Sequence, residues 1–427
     1  MAILYDKKSL LENKKFVETV SSIYTVAPEE AADRVEALVN EHKRSFGADA
    51  ADTVLFSAPG RIEIVGNHTD HNNGKVIAAA ISVDLLGAVS ETKDNKIVVN
   101  SIGYPSVSVD ITDLEPKEDE KGDSAALVRG IVKAFVDRGL NVGGFIATTT
   151  SDVFKGAGMS SSASFELFVA EVLNSFYNGG VVSAIDKAII SQYAENVYFG
   201  KPSGLMDQMA ISVGGASYID FKDPKAPLVE KMHWPFENDM SVFVVNCGGD
   251  HCNLTPNYAA IMTEMRAIAG EFGQEKLRFV DKGEFYSSIG ALKDKYSGRA
   301  ILRAMHYFEE NERVDEMKQA IADEDPDLAC ELITESGFSS MTKLQNCYPE
   351  GDFSEPIPLA LSLTQEYAGT YAYRVHGGGF AGTILAIVAP DAEEYGDYMG
   401  LIYGAENVHK LKIRDTGAMR LDLESEE

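Results

Sequence analysis

A glycine- and serine-rich run that opens directly into an amphipathic helix constrains this chain more than any other stretch: SDVFKGAGMSSSASFELFVAEVLNSF, residues 151–176. The preceding GFIATTT, residues 144–150, is short, β-branched and aromatic, which predicts a strand. After the run, Phe165, Phe168, Val172 and Phe176 recur at helical spacing. The loop therefore ends at a helix N-terminus. Gly156 and Gly158 let backbone approach a ligand, Ser160, Ser161 and Ser162 bring hydroxyls and a cap, and the first free N–H groups of the helix favour an anion. Two readings stand: a phosphate cradle, or a small-residue turn that merely caps a helix. The loop lacks the G-K-[ST] ending of a Walker A motif, and it is not a G-x-G-x-x-G opening a helix. A nucleotide bound here belongs with another class of kinase.

Around this run the pattern predicts a helical, acidic segment over residues 1–50, with Ala31, Val35, Leu38 and Val39 as its apolar stripe, packed outside the catalytic unit. A strand over 53–57, a turn at Ala58-Pro59-Gly60 and a second strand over 61–65 follow. Further strands are expected at 85–90, 96–100 and 106–111, then an acidic loop over 112–124 and a helix over 125–138. A helix over 183–199 stops at Gly200 and Pro202. Asp207, among apolar residues at the start of a short helix, is either a capping group or a carboxylate whose proton affinity is used. The pattern changes over 221–235, which sets a domain boundary near there. Beyond it come a strand at 241–246, a helical run from 258 through 323, a helix over 358–369, strands at 372–376 and 382–388, a helix over 393–403 and a final strand over 408–414. The HGGGFAG segment satisfies G-x-G-x-x-G, but a strand rather than a helix follows it, so it reads as a tight turn bringing backbone close to a neighbour or a ligand.

The loop GNHTDHNNG, residues 66–74, carries more polar side chains than a connection needs. His68 and His71 flanking Asp70 are compatible with a metal site, with a solvated turn, or with a set of groups that hold sugar hydroxyls. Position alone does not choose.

Charge narrows the partners. Among 427 residues, 66 acidic against 38 basic side chains give a net charge of −28, which repels nucleic acid and anionic lipid. At this length two domains are the natural expectation, and no apolar run reaches bilayer length. Cys247, Cys252, Cys330 and Cys347 are too scattered for a disulfide framework or a CxxC metal site. The expected setting is cytoplasmic, with no nucleic acid and no membrane as partner.

APGRIEIVGNHTDHNNGKV, GAGMSSSAS, GKPSGLMDQ, HCNLTPNY and RVHGGGFAGT occur in the order, and at about the separations, of the motifs of galactokinases within the GHMP small-molecule kinase superfamily. The chain resembles that family from about residue 53 to the last strand. The resemblance implies a two-domain α/β (α+β) fold, ribosomal-S5-like then ferredoxin-like, with the active site in the cleft between them. The divisions it suggests are 1–50, 51–225 and 226–427. It also implies ATP-dependent phosphorylation of a sugar's anomeric hydroxyl, with galactose the first substrate to try. Matched position by position, Asp207 falls on the family's catalytic carboxylate and Arg61 on its partner arginine. Ser162 and Glu195 fall on the Mg²⁺ ligands, residues 156–162 on the phosphate loop, and His68, Asp70 and Tyr258 on positions that contact the sugar. Asn67, counted with them as a sugar-binding position, stands where the family has glutamate, and His71 where it has tyrosine. Ser336-Gly337-Phe338-Ser339 and Gly379-Phe380-Ala381-Gly382 also depart from the family's segments. Those departures leave open a different sugar or amino sugar as acceptor, and, from another class, a sensor that binds sugar and ATP without turnover.

Overall fold

The computed structural model describes residues 5–153, 158–201, 203–248, 254–349, 351, 353–380 and 382–423. Gly156 and residues 251–253 of the HCNLTPNY motif lie outside them, as do Cys252, Pro202 and Ala381.

Three helices come first, α1 (Lys7–Glu12), α2 (Lys14–Ile23) and α3 (Pro28–Phe46). Asp6 and Asn13 cap the first two by accepting from the N–H groups of Ser9 and Phe16, and Pro28 opens the third where its missing N–H costs nothing. The stripe Ala31, Val35, Leu38, Val39 is buried, together with Leu10, Phe16 and Val20. It packs on Leu55, Leu86, Ala88 and Leu421. The extension thus covers one face of a sheet. Buried Asp84 fastens it there, accepting from Tyr24 Oη and Arg34 Nη1 at 2.7 Å each.

That sheet contains β1 (Val54–Val65), β2 (Lys75–Glu91), β3 (Lys96–Ser101), β4 (Val107–Asp110), β5 (Phe145–Ser151), β6 (Ala216–Asp220) and β7 (Leu228–Met232). The last strand of the chain, β12 (Met419–Leu421), returns to it beside β1. The main path is β12-β1-β2-β5-β3-β4, with β6 and β7 branching from the other end of β2. Phe56, Ala58, Leu85 and Val89, on the face opposite the extension, pack under α4 (Ser124–Asp137) and α5 (Ser161–Asn178). After α5 come α6 (Ala184–Tyr193), a π-helical turn Ala194–Phe199, and α7 (Met206–Val213).

The second sheet, β11-β8-β10-β9, is antiparallel throughout: β8 (Ser241–Asn246), β9 (Thr370–Val375), β10 (Thr383–Val388) and β11 (Val408–Leu411). Around it lie α8 (Thr255–Glu271), α9 (Lys282–Ser287), α10 (Ile289–Lys293), α11 (Gly298–Ala322), α12 (Pro326–Ser339), α13 (Pro356–Glu366) and α14 (Glu393–Tyr403). One core joins Ile62, Ile64 and Ile77 of the first sheet to Val242, Val244 and Leu385 of the second, so the sheets share packing. No helix among the described residues is long and apolar enough to cross a membrane.

Several expectations are corrected. Ala58-Pro59-Gly60 is not a turn. It lies inside β1, where the register shifts between Pro59 and Arg61, because proline cannot donate to the ladder and the strand accommodates it with a bulge. The strand expected over 85–90 is the far end of the 17-residue β2, whose alanine-rich start hides the strand signal. The strands β6, β7 and β12 were not expected, and 408–414 is not the final strand: the chain goes on to β12.

Candidate active site

Arg61 follows the bulge in β1, and the shifted register brings its backbone to the cradle, where its N–H donates to Met159 O at 3.3 Å. Its buried guanidinium meets Asp207 in the first turn of α7, with Nε 2.9 Å and Nη2 2.7 Å from the same carboxylate oxygen. Nη1 donates to Gly158 O. Ser160 Oγ donates to the other oxygen of Asp207. Residues 146 positions apart in the chain thus share one cluster.

Ser160 was expected to help cap α5 and does not. Its φ of 62° is left-handed, it makes no side-chain cap bond, and its hydroxyl goes to Asp207 instead. The first N–H groups of α5 therefore carry no hydroxyl from their own N-cap, as an anion-binding helix end requires. Ser161 and Ser162 begin α5, half-buried.

Glu195 lies on the π-helical turn and is buried. Its Oε1 accepts from Lys201 Nζ at 2.9 Å and Ser162 Oγ at 3.4 Å. Its Oε2 accepts from Ser203 Oγ at 2.5 Å and Gln208 Nε2 at 2.9 Å. Burial works to depress the Lys201 ammonium, but Glu195, with Asp207 and Glu166, outweighs it and holds the group above its ordinary range. Gln208 also donates to Glu166 Oε2 at 3.0 Å. Burial, with the nearby Glu195, pushes the Glu166 carboxyl well above its ordinary range. Glu166 Oε1 and Gln208 Oε1 are buried without a partner. The site thus offers a carboxylate, a facing hydroxyl and further buried oxygens. An all-oxygen donor set of this kind fits a hard cation that keeps most of its waters.

The loop after β1 is held from behind. Glu310 Oε1 accepts from the N–H groups of Gly66 and Asn67 at 2.8 and 3.2 Å, and from Ser336 Oγ at 2.5 Å. Arg313 donates to the other Glu310 oxygen. Burial works to raise the Glu310 carboxyl, but the surrounding cations and donors win and hold it at about 2. His306 bridges Ser339 Oγ and Asn67 O at 2.8 Å each, and burial lowers its pKa to about 4.

Within the loop, His68, Asp70 and Tyr258 gather on one side. The His68 ring stacks on Tyr258, centroids 6.4 Å apart, and His68 Nε2 lies 2.9 Å from Gly378 O. Tyr258 Oη donates to Gly379 O at 2.9 Å, which places the HGGG turn against the loop. A Cβ on Gly204 would collide with Asp70 Oδ2, so that glycine lets the sequence before α7 abut the loop. Burial pushes the Asp70 carboxyl above its ordinary range, His68 draws it down, and the charges of Glu63 and Asp207 push it up again.

Asn67 points the other way. It is 1% exposed; its amide donates to Glu63 Oε1 at 2.9 Å and Gly377 O at 2.8 Å. Its oxygen accepts from Asn346 Nδ2 at 2.8 Å and Ser340 Oγ at 3.3 Å. All four hydrogen-bonding positions of the amide are used inside the protein. Behind it Glu63 pairs with the fully buried Arg374. As for a metal on the loop, the His68 and His71 rings meet edge to face at 5.5 Å, and His71 Nδ1 faces Asn72 Nδ2 at 2.9 Å. No group of three metal-ligating side chains occurs among the described residues.

Sequence reading missed Glu63, Glu166, Lys201, Gln208, His306, Glu310 and Arg374. Two signals were present: Glu63 sits between Ile62 and Ile64 in a buried strand, and His306 and Glu310 recur at one-turn spacing on α11.

Residues 40–91 match the galactokinase galactose-binding signature and residues 126–215 the GHMP kinases N-terminal domain. A galactokinase of Pyrococcus furiosus is 30% identical over 349 residues, covering 81% of this chain and 92% of that protein. One of Lacticaseibacillus casei is 30% identical over 370 residues, 84% and 91% of the two chains. In three dimensions, the crystal structure of Lactococcus lactis galactokinase complexed with galactose superposes with a TM-score of 0.78 at 23% identity, over 90% of this chain and 99% of that one.

Proposed function

The chain belongs to the galactokinase family, and from that premise we propose that it transfers the γ-phosphoryl group of ATP to the anomeric hydroxyl of galactose. Asp207 accepts the proton as the hydroxyl attacks, and Arg61, paired with that carboxylate, holds it in place and faces the charge that builds on the transferred group. Ser160, bonded to Asp207, holds it in register with the cradle. The N-terminus of α5, with Gly158, Ser160, Ser161 and Ser162, takes the phosphates, and Gly156 belongs to the same loop. Ser162 and Glu195 would hold Mg²⁺, which would supply positive charge to offset that of the phosphates. His68, Asp70 and Tyr258 hold the sugar. Asn67, its amide already saturated, positions the loop and does not itself read a hydroxyl.

In the same reading the domains divide as 1–50, 51–225 and 226–427, with β7 and β12 stitching the last of these into the first sheet. A cytoplasmic setting, where ATP is at hand, agrees with the free buried thiols of Cys247, Cys330 and Cys347.

The contact of Arg61, Asp207 and Ser160 at the open N-terminus of α5 carries the reading. Asp207→Asn keeps the shape and removes the base, so turnover should fall by about 10²–10⁴-fold with sugar and nucleotide affinities little changed. Near-wild-type turnover would remove Asp207 from its role. The closed amide of Asn67 favours one second reading, the same chemistry on another sugar or amino sugar. A coupled ADP assay across a sugar panel separates the two, and ADP release with any sugar excludes a sensor without turnover.

A further inference from the structure

We propose that Lys201 is an exchangeable counter-cation of the Glu195 site, yielding Glu195 to the divalent cation and moving to the nucleotide phosphates. The inference rests on the assignment of Ser162 and Glu195 to the metal. Four described donors saturate the Glu195 carboxylate, two on each oxygen. A divalent cation can coordinate it only if one donor leaves. Gln208 is fully buried and also tied to Glu166. Ser162 belongs to α5, and its hydroxyl can rotate to present a lone pair to the same cation. Ser203 is half-buried, and its backbone N–H is fixed to Asn196 Oδ1 at 2.7 Å. Rotation of Ser162 removes only a neutral donor, whereas Lys201 is the cation that an arriving dication would face on Oε1, and it has room to withdraw: its side chain is 58% exposed while that of Glu195 is 3% exposed.

The backbone suits such an exchange. The N–H groups of Gly200 and Lys201 both donate to Glu195 O, at 3.0 and 3.1 Å. The base of the lysine is therefore clamped beside Glu195 while its four-carbon stem stays free. Its ammonium and the Ser162 hydroxyl donate to the same oxygen, Glu195 Oε1. Once displaced, it remains within one side-chain length of the α5 N-terminus, where the phosphates of the proposed reading lie. A cation leaving a carboxylate as the dication arrives keeps the charge of the pocket from swinging, and then meets the anionic nucleotide.

The test uses the full-length protein and two readouts of opposite sign. Without nucleotide, Mn²⁺ binding followed by electron paramagnetic resonance should tighten roughly three- to tenfold in Lys201→Met, because a competitor is gone, and stay near wild type in Lys201→Arg. In steady state with Mg²⁺, the KM for ATP should rise about tenfold in Lys201→Met with the galactose KM unchanged. Structural damage would weaken both. Unchanged or weaker Mn²⁺ binding in Lys201→Met, or an unmoved KM for ATP, overturns the exchange. Glu195→Gln separates the two claims: if Mn²⁺ binds it as well as it binds wild type, the metal assignment itself falls, and the role of Lys201 with it.

Discussion

Glu195 and Glu310 are both buried glutamates that each collect four donors among the described residues, yet those donors differ in kind. Around Glu310 every donor is locked: two backbone N–H groups of the sugar-side loop, the hydroxyl of buried Ser336, and Arg313, itself buried. Around Glu195 one donor is an exposed lysine. A carboxylate whose partners cannot leave is a rivet, and one with a removable partner is free to serve as the ligand proposed above. The distinction lies in the mobility of the donors, since burial and donor number are nearly the same.

The widest separation should come from paired substitutions. Glu310→Gln leaves Arg313 and the loop N–H groups without their charge and should cost about 3–5 kcal/mol of stability, read from denaturant unfolding. Glu195→Gln should cost no more than about 2 kcal/mol and instead lower kcat at least about 100-fold. Equal destabilisation by the two would erase the contrast.

Acid should attack the Glu310 side first. His306 has a pKa of about 4 in the fold against about 6.5 when unfolded, so between those values only the unfolded chain takes up a proton. Stability is full above about pH 6.5 and is lost as pH falls towards 4, by up to about 3 kcal/mol. Glu310, held at about 2, adds its own loss only below the ordinary glutamate range. His306→Asn should flatten the slope between pH 6.5 and 4, and an unchanged slope would assign the acid loss elsewhere. The smallest effect is expected at Glu166→Gln: burial and Glu195 push that carboxyl towards its neutral form, which glutamine mimics, so kcat and Mn²⁺ affinity should stay within about twofold. A large loss would make ionised Glu166 part of the metal site.

Much of the site was legible in sequence. Asp207, Arg61, Ser162 and Glu195 could be named from ordered motifs, and the structure brings the first two into contact and places the other two 3.4 Å apart. Asn67 shows where such reading stops. Its replacement of a family glutamate is visible in the sequence, but that its amide turns inward to Glu63, Gly377, Asn346 and Ser340 is not, because those partners lie up to 310 positions away. The bulge at Pro59 was misread as a turn for a related reason. Proline and glycine mark a local break in the ladder, and only the pairing of β1 with β2 and β12 decides whether the strand resumes in the same direction.

By itself the sequence determined the helix that follows the serine loop, the helical N-terminal extension and the family, since periodicity and ordered motifs are local properties of the chain. Tertiary structure alone decided which buried carboxylate is held by buried donors and which is paired with an exposed lysine. That depends on donors converging from helices and loops remote in sequence, and on how much room each has to withdraw.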